Sequence, residues 1–97
     1  MQHFDESAER NIINGICHTD HFASIFRELE AKDFYVAGAR KQFEWLRKAL
    51  DEGTFQEAKA QVIDGGLHHI ENPIPLFDAI DVVRNHAVRR KIQQAAD

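Results

Sequence analysis

Apolar residues recur along this chain at helical rather than strand spacing. From about Ser7 to Cys17, Ala8, Ile12, Gly15 and Ile16 fall at i, i+4, i+7 and i+8, one face of a helix. A second helix is expected from Thr19 or Asp20, both good N-caps, with Phe22, Ile25, Phe26 and Leu29 turned inward. A third, from about Val36 to Glu52, lines up Ala39, Phe43, Leu46 and Leu50, and Gly53 is placed to close it. Thr54-Phe55-Gln56-Glu57 has the form of a capping box and predicts a fourth helix with Phe55, Ala58 and Val62 on its apolar face.

Gly65-Gly66 should end that helix, and Asn72-Pro73-Ile74-Pro75 should form a stiff, extended turn, because each proline disfavours the α region for the residue before it. The last helix is expected from about Leu76, with Phe77, Ile80, Val83 or Arg84, Ala87 and Val88 on one side. No segment alternates over strand length. The pattern predicts an all-α, compact orthogonal bundle of about five to six helices, its core built around Ile12, Ile16, Phe22, Phe26, Phe34, Phe43 and Leu46. Ninety-seven residues make one domain, with residues 1–75 as the helical body and 76–97 as an exit helix of the same unit.

Composition narrows the class. The apolar share of 43%, with seven Phe and one Trp, supplies a modest core. No apolar run approaches the ~18 residues of a membrane span, and the opening Met1-Gln2-His3-Phe4-Asp5-Glu6 is not a secretory signal. The single cysteine, Cys17, cannot form an intramolecular disulfide and fits a reducing compartment, so a cytoplasmic protein is expected.

The net charge of −4 argues against a dedicated nucleic-acid binder, but it is unevenly spread. Residues 1–38 carry seven acids and three bases, and residues 39–83 carry eight and five. Residues 84–97 carry Arg84, Arg89, Arg90 and Lys91 against Asp97 alone. An acidic body with a basic terminal helix suits a complementary surface, its own or a partner's. Solubility and compensation of the helix dipole explain the same residues more plainly.

Candidate chemistry is sparse. Cys17-His18-Thr19-Asp20-His21 gathers four potential metal ligands within five residues, and His68-His69 could add more. There is no C-x-x-C, Cys17 fits as a small apolar residue ending its helix, and Asp20 fits as a cap. Adjacent Cys17 and His18 do not face each other on a helix, which weakens nucleophilic catalysis. The phosphate-binding pattern G-x-x-x-x-G-K-[ST] is absent from the sequence. No catalytic residue, cofactor or metal is expected. The aromatic residues lie at core spacing without interleaved bases, so base stacking is not indicated. The periodicity leaves the burial of Trp45 open; exposed, it is a natural interface anchor.

Three segments carry a family resemblance. Ser7-Ala8-Glu9 leading into Ile12-Ile13-Asn14-Gly15, then Asp33-Phe34-Tyr35 leading to Phe43, resemble the N-terminal domain of DnaB-type replicative helicases. There an E-A-E-x-x-V-L-G-G helix precedes D-F-Y-x-x-x-H-x-x-I-F. Val83-Arg84-Asn85-His86-Ala87-Val88-Arg89-Arg90-Lys91-Ile92 is similar to the family's I-V-R-E-K-A-V-L-R-K-L. Ala39 stands where the family has His, Gln42 where it has an aliphatic residue, and Asn14 in place of a Gly, and the stretch before the exit helix is shorter, so the resemblance is to a compact, diverged version, with host and phage origin both open.

The resemblance implies a non-catalytic interaction and oligomerisation domain for DNA replication, which takes part in ring assembly and docks a primase or helicase loader. Self-association is then expected, through candidate interface residues Trp45, Ile80, Val83, Arg84, Ala87, Val88, Arg90 and Ile92, with no direct nucleic-acid binding and no membrane. The alternatives are the helicase-binding domain of a primase, which resembles the same fold, and a small helical DNA-binding regulator using the basic helix around Arg84–Lys91. The latter needs a short helix-turn-helix connection, for which Pro73 and Pro75 are poorly suited.

Overall fold

A computed structural model of the chain describes residues 4–65 and 75–96. Among these, five α-helices and one short 3₁₀ turn follow in order: α1 Glu6–His18, α2 Phe22–Glu28, the 3₁₀ turn Ala31–Asp33, α3 Ala37–Glu52, α4 Phe55–Asp64 and α5 Leu76–Ala96. The all-α expectation holds for the described residues. Gly66, the His68-His69 pair and the Asn72–Ile74 turn lie outside them.

Helix α1 is the central element, packed against α2, α3, α4 and α5. Its buried set is broader than one stripe: Ala8, Glu9, Ile12, Ile13, Gly15, Ile16 and Cys17. A helix with neighbours on several sides buries more than an amphipathic surface helix does. It starts at Asp5, whose Oδ1 accepts the Ala8 N–H at 3.1 Å. The start therefore falls slightly earlier than Ser7.

An aromatic chain ties α2, α3 and α4 together. Phe34 lies 4.7 Å from Phe43, and Phe43 lies 5.2 Å from Phe26. Phe26 meets Phe55 at 6.3 Å, and Phe55 meets Phe22 at 4.9 Å. Tilted and edge-on pairs of this kind add to the area the rings bury. The expected core residues are all buried or packed against the core.

Two caps differ from expectation. Thr19 does not open α2; its hydroxyl donates to Gly15 O at 2.6 Å and accepts the His21 N–H at 3.2 Å, closing α1 instead. Thr54 precedes α4 without a side-chain cap bond, its ψ of 24° placing it outside the extended cap conformation. Gly53 does close α3, at φ 80°, and the Thr54 N–H donates back to Ala49 O at 2.9 Å.

Helix α5 runs along α1 and the 3₁₀ turn. Ala79, Ile80 and Val83 are buried with Leu76 packed beside them, whereas Phe77 and Val88 point outward. Small residues set this rotation: Ala79 faces the core, and Gly15 leaves room for Leu76. A Cβ on Gly15 would lie 2.6 Å from a terminal methyl of Leu76. Since that methyl can move and alanine favours helix, Gly15→Ala should shift stability by only about 1 kcal/mol in either direction. Gly15→Leu should cost about 1–3 kcal/mol by overpacking. Urea denaturation of both variants checks the contrast.

Candidate functional site

The connector from the 3₁₀ turn into α3 (Glu30 to Val36) is held by side chains from three helices. Asp33 Oδ2 accepts the Glu30 N–H at 2.8 Å, which closes the turn locally. Glu9 of α1 supplies the next contacts. Its Oε1 accepts the N–H groups of Tyr35 and Val36 at 3.1 and 2.9 Å, and its Oε2 accepts Tyr35 N–H at 3.0 Å. Val36 is the residue that opens α3 and has no cap of its own, so Glu9 caps α3 from a different helix.

Glu9 is 1% exposed, and burial lifts its carboxyl above the ordinary value. The two backbone N–H groups and the charges of Arg90 and Arg40 pull the other way without cancelling that effect. Arg40 of α3 donates through Nε and Nη2 to Phe34 O at 3.1 and 3.0 Å. Arg90 of α5 donates to Asp33 O at 2.7 Å and lies over the Tyr35 ring, 5.5 Å from its centre. Tyr35 also stacks on Phe4 at 4.3 Å.

The result is a groove of about 540 Å³ between the connector and the C-terminal half of α5. Lys32, Arg40, Arg84, Arg90 and Lys91 line it, with Asp33, Tyr35, Ala87 and Val88. At its edges Arg84 pairs with Glu28, and Lys32 with Glu30 at 3.1 Å. A second hollow of about 450 Å³ lies between α2 and α3, where Phe26 and Phe43 sit under a rim of mixed charge from Glu30, Glu44, Arg47, Lys48 and Asp51.

The expected interface residues separate into two groups. Ile80 and Val83 are buried in the chain's own core, so the apolar strip expected from Ile80 to Ile92 does not lie open along its length. Ala87 is half-buried, Arg84 reaches Glu28, and Arg90 reaches the connector. Trp45, Val88 and Ile92 are 41%, 50% and 63% exposed. Phe77, expected on the inner side, is 57% exposed and meets His21 edge-on at 5.4 Å.

Cys17 lies in the core, and burial pushes its thiol up, with the Lys59 charge opposing. His18, Asp20 and His21 are exposed, and no group of three or more potential metal ligands converges among the described residues. No described helix is long and apolar enough to cross a membrane.

Sequence reading missed the buried role of Glu9 and the convergence of Lys32 and Arg40 with the bases of α5. Glu9 carried a signal: it lies at i, i+3, i+4 and i+7 with Ile12, Ile13 and Ile16, a polar residue on an apolar face. The basic groove carried none, since its two sides lie far apart in the chain. No protein-family model, curated protein or solved structure matches the chain.

Proposed function

We propose that this chain is a non-catalytic protein-interaction and self-association module of the replicative-helicase kind, which assembles with its own copies and docks a primase or helicase loader. The replication assignment rests on the order of the three sequence segments that resemble the DnaB N-terminal domain. Self-association rests on α5, whose outer side leaves Phe77, Val88 and Ile92 exposed. These are about three turns and then one turn apart, so they share a side of the helix. An apolar stripe rimmed by charge is the form an association surface takes.

The charges on α5 support an antiparallel arrangement. Asp78 and Asp81 lie in its N-terminal half, and Arg89 and Lys91 in its C-terminal half. A two-fold pairing of α5 with a second α5 sets Phe77 near Ile92 of the other copy and acids near bases. Such a strip on a small domain supports micromolar or weaker affinity rather than an obligate ring.

Sedimentation over a concentration series should show a reversible dimer that strengthens at low salt. Combining Phe77→Asp with Ile92→Asp should abolish it without changing the helical content. A monomer at high protein concentration and low salt would sink self-association.

A further inference from the structure

We propose that the basic groove between the connector and α5 docks an acidic amphipathic segment of a partner protein. This rests on reading the chain as a docking module and adds the chemistry of what docks. It turns on Lys32 and Arg40, which lie off the Phe77–Ile92 stripe.

The groove draws cations from two directions: Lys32 and Arg40 from the connector side, and Arg84, Arg90 and Lys91 from α5, with Asp33 as the carboxylate among its lining residues. A concavity whose lining cations outnumber its carboxylates by five to one concentrates the opposite charge. The cations are also positioned in advance. Arg40 spends two N–H groups on Phe34 O, which orients its guanidinium, and its charge and that of Arg90 also act on the buried Glu9 carboxyl. Arg90 is oriented in the same way by Asp33 O. An arginine already held in place loses less freedom when a carboxylate binds. The Lys32–Glu30 pair at the edge has side chains 76% and 69% exposed, and exposed pairs of this sort yield readily to a competing carboxylate.

The floor selects the kind of anion. Ala87 and half-exposed Val88 lie among the cations. A purely anionic ligand would leave Val88 in water, whereas a helix alternating acids with aliphatic residues covers it. Nucleic acid fits less well. Tyr35 is half-exposed, but its ring already stacks on Phe4 and lies against Arg90. Residues 39–83 carry eight acids against five bases, which repels a long polyanion but not a short segment that ends in the groove.

The probe is a labelled helical peptide with leucines at i, i+3, i+4 and i+7 and glutamates elsewhere, followed by fluorescence anisotropy. It should bind, and binding should weaken as salt rises. Lys32→Glu combined with Lys91→Glu should weaken it at least about tenfold with an unchanged thermal melt. The Phe77→Asp protein, altered about three turns of helix away from Val88, should bind the peptide as the wild type does, which separates this site from self-association. No binding at low salt, binding untouched by the charge reversals, or tighter binding of a labelled single-stranded oligonucleotide than of the peptide would each overturn the proposal.

Discussion

Phe43→Ala is expected to cost about 3–5 kcal/mol, a large share of what a domain of this size has. Phe43 is buried on α3 and touches Phe34 of the connector and Phe26 of α2. Through Phe26 the contact continues to Phe55 of α4. Removing the ring opens a cavity where three segments meet, and none can close it without leaving another contact. Chemical denaturation should show a midpoint far below that of the wild type, or no folded baseline. Lys41→Ala on the exposed side of the same helix should change stability by no more than about 0.5 kcal/mol. An unchanged midpoint for Phe43→Ala would refute the aromatic chain as the centre of the core.

Local signals were legible wherever a single helix decides its own geometry. Four of the five α-helices lie within a residue or so of where apolar spacing puts them, and Gly53 closes α3 because only a residue tolerant of positive φ suits that position. What failed was decided between helices. Thr54-x-x-Glu57 reads as a capping box, yet the backbone at Thr54 leaves the extended region the motif needs. In α5, Phe77 and Ala79 compete for the inner side, and periodicity favours the larger residue. The close approach of α1 at Gly15 admits Leu76, while Ala79 is buried in the core and Phe77 is left outside.

The candidate site was legible only in halves. Arg84, Arg90 and Lys91 stood out as a basic run, and Asp33-Phe34-Tyr35 stood out as one segment of the family resemblance. That the first locks the second, through Arg90 and Asp33 O, needs the path of α5 across the connector. The same path removes Ile80 and Val83 from any partner-facing surface, because the core claims them first. A charge run therefore locates a surface only after the buried face of its helix is known.

Glu9→Ala should be the most costly polar substitution, at about 2–4 kcal/mol. It removes the acceptor for the N–H groups of Tyr35 and Val36 and so uncaps α3, while the domain keeps nearly all its apolar burial. Glu9→Gln keeps one acceptor oxygen and should cost less, which separates the lost hydrogen bonds from the lost charge. The pH dependence has an unusual sign for a carboxylate. Burial raises the Glu9 carboxyl in the folded chain above its ordinary 4.5. Just above that value the folded state still holds a proton that the unfolded state has released. Stability from this group is therefore greatest below the ordinary value and falls as pH rises through the window up to the raised one. The stability advantage of the wild type over Glu9→Gln should thus shrink as pH rises from below the ordinary 4.5 through the raised folded-state value. Urea midpoints for the pair across that range test it, and an advantage that grows with pH would mean that the hydrogen bonds and the two arginines outweigh burial at Glu9.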